Sequence, residues 1–94
     1  MVLNVSQISG IGDFTKKSEK ERDLYLKDDR VFLVINKNTI EIRSDAQLMP
    51  VLKSKYESVM ESRYFGRGGL EIVLAGQLSE QEIDDLIRLS YNLS

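Results

Sequence analysis

Two short segments in the middle of the chain limit its fold more than any other feature. Val31-Phe32-Leu33-Val34-Ile35 is an unbroken run of β-branched, aromatic and aliphatic residues, the composition of a central strand covered on both faces. Thr39-Ile40-Glu41-Ile42-Arg43 alternates with a period of two, so Ile40 and Ile42 point to a core and Thr39, Glu41 and Arg43 point away. Asn36-Lys37-Asn38 between them predicts a tight reversal, because Asn tolerates positive φ better than other non-glycine residues. The pair is therefore an antiparallel hairpin, and any fold of this chain must contain it.

The flanking elements follow from weaker signals. Leu24–Leu26 reads as a short strand, closed by the polar turn Lys27-Asp28-Asp29-Arg30. Ser44-Asp45-Ala46-Gln47 fits a capping box, and Leu48, Leu52, Tyr56 and Val59 recur at helical spacing, which predicts a helix ending near Glu61. Pro50 within it predicts a kink or a fresh helix start. Ser62–Gly69 reads as a glycine-rich loop before a strand over Leu70–Leu74. Leu78-Ser79-Glu80-Gln81-Glu82-Ile83 opens a last helix, with Ser79 as N-cap, Glu82 as its box partner and Leu78 stapled onto Ile83. Ile83, Leu86, Ile87 and Tyr91 form its buried stripe, leaving Leu89 and Leu93 at the margins.

The fold class expected is α+β: an antiparallel sheet of about four strands covered on one face by two helices, in the order β-β-β-α-β-α. Residues 24–94 form this single domain. Residues 1–23 resist typing: Val2, Leu3, Val5, Ile8 and Ile11 are weakly apolar, and Lys16–Asp23 alternates in sign with nothing apolar, as a solvated turn, frayed helix or loop would. An uncovered sheet face or an edge strand invites a protein partner or a homodimer.

Composition narrows the chemistry. The 94 residues contain no Cys and no His, so disulfides, thiolate nucleophiles, Cys/His metal sites and imidazole bases are all excluded. Adjacent Asp84 and Asp85 point different ways on a helix and make a poor metal site, so neither metal nor cofactor is expected. No apolar run approaches the ~20 residues that span a bilayer, and the expected setting is cytoplasmic, without membrane contact. Net charge is −2, which argues against tight DNA binding. The distribution is uneven, however: residues 1–30 balance at zero, 31–67 carry six basic and four acidic groups, and 68–94 carry one and five.

From Val31 to Ser94, about two thirds of the chain, the sequence resembles the MmcQ/YjbR family of small bacterial proteins. The residues that carry the likeness are the Val31–Ile35 strand, the Ile40–Arg43 strand ending in a basic residue, the Ser44–Leu48 helix start, the Leu70–Leu74 strand, and Leu78–Ile83 leading to Ser90-Tyr91. The resemblance implies a double-wing or secretion-chaperone-like α+β fold and a DNA-binding role. Two features depart from it. The family's loop usually offers His and Lys and a Trp opening the next strand, where this chain has Arg63-Tyr64-Phe65-Gly66-Arg67-Gly68-Gly69-Leu70, and no N-terminal helix is evident. A short version of the family, or the C-terminal domain of a longer protein, is the expectation.

The candidate nucleic-acid site is this loop. Arg63 and Arg67 with Tyr64 and Phe65 combine phosphate-binding and base-stacking groups, and Arg43, Lys53 and Lys55 could extend the patch. Alternatively the glycines simply permit a turn, the aromatics pack and the arginines are solvated. Gly66–Gly69 is no nucleotide cradle, since it precedes a strand and lacks the lysine and hydroxyl of that motif. Ser90 and Tyr91 read as structural. The expected function is a non-enzymatic binding module with weak nucleic-acid binding. The alternative is a protein-interaction domain with no nucleic-acid role.

Overall fold

The computed structural model describes residues 4–45, 47–74 and 76–94. Val2 and Leu3 of the N-terminal apolar positions, and Ala46 of the Ser44–Gln47 box, lie outside them. A 3₁₀ turn, Val5–Gln7, is followed by β1 (Thr15–Ser18), β2 (Asp23–Lys27), β3 (Arg30–Ile35), β4 (Thr39–Arg43), α1 (Leu48–Lys55), β5 (Val59–Ser62), β6 (Gly66–Val73) and α2 (Glu80–Leu93). The strands make one antiparallel sheet in the order β1-β2-β3-β4-β6-β5. The class is α+β as expected, with six strands among the described residues in place of four. No described helix is long and apolar enough to cross a membrane.

Both additional strands lie at the sheet's edges, and each corrects a local reading. β1 takes Thr15 and the first three residues of the charged run Lys16–Asp23; all four of its side chains are exposed, and it is held by its backbone ladder to β2. An edge strand needs no apolar alternation, so periodicity could not detect it. β5 takes residues that continue the helical spacing of Leu48, Leu52 and Tyr56. The helix stops at Lys55 because Tyr56 turns to extended backbone, and Val59 is buried from a strand. Residues 4–23, which resist typing from sequence, also contribute to the fold: Val5 and Ile8 are buried in the core and Phe14 packs against it.

Helix capping was half anticipated. At α1 the N-cap position is Gln47, which makes no side-chain cap bond; the Asp45 carboxylate ahead of it accepts from the N–H groups of Gln47 (3.0 Å) and Leu48 (2.7 Å), and Ser44 does not cap. Pro50 sits in the first turn, where no amide donor is required, and the helix begins two residues before it. At α2 the predicted box is present: Glu82 N–H donates to Ser79 Oγ, and Ser79 N–H donates to the Glu82 carboxylate.

Among the described residues the non-glycine positions with positive φ are Asp28 (51°) and Asp29 (66°), in the β2–β3 turn, whereas Asn36 and Asn38 turn without it. Two consecutive left-handed residues match the right-handed twist of the strands they join. The stretch read as a glycine loop is largely strand: β6 begins at Gly66. Gly69 is needed there for close approach, since a Cβ at that position would lie 2.6 Å from the Ile42 carbonyl and 2.5 Å from Phe65 Cβ.

The core lies between the sheet and the helices. Leu33, Ile40, Ile42, Leu70 and Ile72 from the sheet meet Ile83, Ile87 and Tyr91 of α2, with Met49 of α1 in the same cluster. Strict alternation would send Phe32 and Leu33 to opposite faces. A bulge between Tyr25 and Leu26 in the β2–β3 register leaves Phe32 without a paired residue, and both side chains join the core with no exposure. Ser90 secures this irregularity: its hydroxyl donates to the Phe32 carbonyl and accepts from Arg43 N–H at 2.8 Å, with no exposure of its own. Ser90→Ala leaves two buried backbone groups unpaired and should cost about 2 kcal/mol, a loss that urea denaturation will read as a lower midpoint at unchanged slope.

Candidate functional site

The helices cover one face of the sheet, so the recognition surface is sought on the other. Register places Leu24, Val34, Glu41, Glu71 and Met60 in one row across β2, β3, β4, β6 and β5. Leu24 and Val34 are buried yet stand outside the core cluster, as expected for the opposite face. Glu41 and Glu71 occupy adjacent strands directly opposite one another, and both are buried, Glu41 at 2% exposure. Glu41 points away from the core as its alternation predicts, but not into solvent. The β5–β6 turn folds over it.

Each carboxylate is satisfied differently. Glu71 holds Arg63 through two parallel bonds, Nε to Oε1 (2.9 Å) and Nη2 to Oε2 (2.7 Å), and also accepts from Thr39 Oγ1 at 2.8 Å. Glu41 has only neutral donors: Ser62 Oγ (2.8 Å), Tyr64 N–H (2.8 Å) and Asn36 Nδ2 (2.9 Å). Burial is the largest single influence on Glu41 and pushes its carboxyl upward. The bonds from Asn36, Tyr64 and Ser62, with the nearby Arg63 charge, outweigh it and leave the pKa below the ordinary value. Among the described residues no buried side-chain polar atom lacks a partner.

Above this floor lies a cleft of about 920 Å³, lined by Glu19, Lys20, Glu21 and Arg22 of the β1–β2 turn, Asn36 and Lys37 of the β3–β4 turn, Glu41 and Arg63. Arg22 donates to Glu19 at 2.7 Å and lies over the Tyr64 ring at 5.1 Å. Tyr64 meets Phe65 edge-on at 5.0 Å, and Arg43 lies 5.0 Å over Phe65. A ladder of cation, ring, ring and cation therefore crosses the open face.

No family model, curated protein or solved structure matches this chain. The resemblance to MmcQ/YjbR thus rests on the quoted residues, and the site must be judged by its geometry.

That geometry separates the residues singled out in the sequence. Arg63 and Tyr64 adjoin the cleft, but both are engaged, Arg63 by Glu71 and Tyr64 by Arg22 and Glu41. Arg43 is half-buried and donates to the Val31 carbonyl at 2.7 Å; burial, then the charge of Arg30, lowers its pKa from the usual arginine value. Arg67 is exposed, with no ion pair among the described residues. Lys53 and Lys55 stand on α1, in the helical layer, and do not line the cleft. Ser90 and Tyr91 are structural: Tyr91 donates to the Asp13 carbonyl at 3.0 Å, packs edge-on to Phe32 at 5.0 Å and carries the Lys27 ammonium 4.5 Å over its ring. The cleft residues Lys20, Arg22, Asn36, Lys37 and Glu41 were not singled out. They come from two turns and a strand, and only register brings them together.

Proposed function

We propose that the protein is a non-enzymatic binding module that meets its partner with the sheet face left open by the helices, with weak nucleic-acid binding as its specific activity. In this reading it works in the cytoplasm and belongs with MmcQ/YjbR-like proteins. The observation that carries the reading is the charged cleft on the open face, bordered by Arg63, whose side chain is 76% exposed although its inner edge is fixed by Glu71. A guanidinium oriented in this way presents its remaining N–H groups to an incoming anion. The non-enzymatic half is supported by the use of the buried polar groups. Glu41, Glu71, Ser62 and Ser90 spend their bonds on internal partners, and the Ser62 and Thr39 hydroxyls that donate to a carboxylate belong to this internal network.

The test is fluorescence anisotropy with single- and double-stranded oligonucleotides at low salt. Binding should weaken in Arg63→Ala with Arg67→Ala, and each arginine that touches a phosphate should reduce the salt slope by about one on removal. Arg67→Ala alone is the cleaner variant, because Arg63→Ala also strands the buried Glu71. Absent binding, or binding indifferent to both changes, removes the nucleic-acid reading. A protein partner is favoured by a different observation, the exposure of Met60 (44%) on edge strand β5 and of Tyr64 in the turn that follows it. Light scattering that shows a dimer dispersed by Met60→Lys would support that reading instead.

A further inference from the structure

We propose that the cleft on the open face is a binding site for a phosphate group carried by a small molecule, with Lys20, Arg22, Lys37 and Arg63 as its ligands. This rests on the reading of the open face as the recognition surface, and it names the chemical group that the cleft takes. Three separate connections contribute cations to one space: the β1–β2 turn, the β3–β4 turn and the β5–β6 turn.

Two of these cations are already oriented. Arg63 is gripped along one edge by Glu71, and Arg22 is fixed by Glu19 on one side and Tyr64 on its face. An arginine carries five N–H donors, of which Arg22 uses one and Arg63 two within the described residues. The other two cations are uncommitted: among the described residues neither Lys20 nor Lys37 has an ion-pair partner.

Four carboxylates, Glu19, Glu21, Glu41 and Glu71, stand against these four cations, so the site rests on where the charges lie and not on a cationic surplus. Glu19 is committed to Arg22, and Glu41 is buried beneath the surface with three donors of its own. Glu21 is the exposed carboxylate that remains, against two free ammonium groups and the outer edges of two guanidinium groups. A tetrahedral phosphate offers several oxygens in different directions and can meet donors arriving from three sides. A planar carboxylate is better matched to a single fork.

The experiment is a backbone-amide NMR titration of the full chain with inorganic phosphate at fixed ionic strength. Saturable shifts confined to residues 19–22, 36–37 and 63 are expected. Lys20→Ala with Lys37→Ala, both exposed and unpaired and so compatible with the fold, should weaken binding about tenfold or more. Arg67→Ala should leave it unchanged. Shifts that never saturate, that spread to Lys53 and Lys55, or that survive the double substitution at equal affinity overturn the proposal. An oligonucleotide arm separates the two ideas. If oligonucleotide binds while phosphate does not, the cleft site fails and the proposed function stands; if phosphate binds while oligonucleotide does not, the nucleic-acid activity fails and the cleft site stands.

Discussion

Replacing Glu41 with alanine should destabilise the protein by about 3 kcal/mol, equivalent to a fall in Tm of roughly 10–20 °C for a domain of this size. The carboxylate is almost fully buried, and three donors converge on it from two separate connections: Asn36 from the β3–β4 turn, and Ser62 and Tyr64 from the end of β5. Truncation orphans all three. Ser62 is itself buried and Tyr64 N–H lies beneath the turn, so water replaces their lost partner poorly, whereas Asn36 is half-buried and recovers part of its bonding. A loss below about 1 kcal/mol by thermal or urea denaturation would mean that cleft water reaches all three donors and that Glu41 does not hold the turn down.

The same residue sets the response to acid. Its folded pKa is depressed, so its contribution is complete above the unfolded carboxylate value near 4.3 and is lost as pH falls through the lower folded value. Glu82 acts in the same sense, because the Ser79 amide and then the Tyr56 hydroxyl favour its charged form. Tm should therefore hold steady from neutrality to about pH 5 and fall below it. Glu41→Gln, which keeps the shape but cannot ionise, should lower the plateau and flatten part of that fall. An unchanged slope in the variant would remove Glu41 from the account.

Phe32→Ala should cost about 3–5 kcal/mol, the range for emptying a fully buried aromatic site. The ring has no exposure and meets Tyr91 edge-on at 5.0 Å and Phe14 at 6.4 Å, so its loss leaves a void bounded by α2 and the N-terminal segment. Urea denaturation should show a much lower midpoint, and Phe32→Leu should recover most of the loss. Because the Ser90 hydroxyl bonds the Phe32 carbonyl, the two sites are mechanically connected, and Phe32→Ala with Ser90→Ala should depart from additivity. Simple additivity would show that the bulge backbone holds its place without the ring.

The contrast between these two residues explains how far the sequence could be read. Phe32 belongs to a run whose burial was legible from composition. So were the β3–β4 hairpin, the stripe of α2 and its Ser79–Glu82 box, because each depends on neighbours along the chain. Glu41 sits at a polar position in a perfect alternation and reads as solvent-facing. Its burial depends on Ser62, 21 residues later at the end of β5, and on the turn that follows it. The cleft is hidden for the same reason, since Lys20, Lys37 and Arg63 share no local pattern. β1 was invisible because an exposed edge strand carries no hydrophobic period, and β5 because its Val59 falls in phase with the preceding helix. The arginine and aromatic content of the glycine-rich segment was noticed. Its partners are not legible, as Arg43, Arg63 and Tyr64 are held by Val31, Phe65, Glu71, Glu41 and Arg22, which lie elsewhere in the chain or meet them only through register.

Among the described residues, only one of the five strand pairings, β4 with β6, joins strands that are not neighbours in the chain. The others are closed by short connections and can form early, as a four-stranded meander and a separate hairpin. Docking that hairpin onto the meander must close the long segment containing α1, and it brings Glu41 and Glu71 side by side in the same step. Contact order makes this pairing the expected slow step, and it is also the one that brings the Glu41 and Glu71 carboxylates together. Ser62 and Arg63 arrive with the hairpin while Asn36 already stands on the meander, so the bonds that satisfy Glu41 and Glu71 are completed only when the two parts meet.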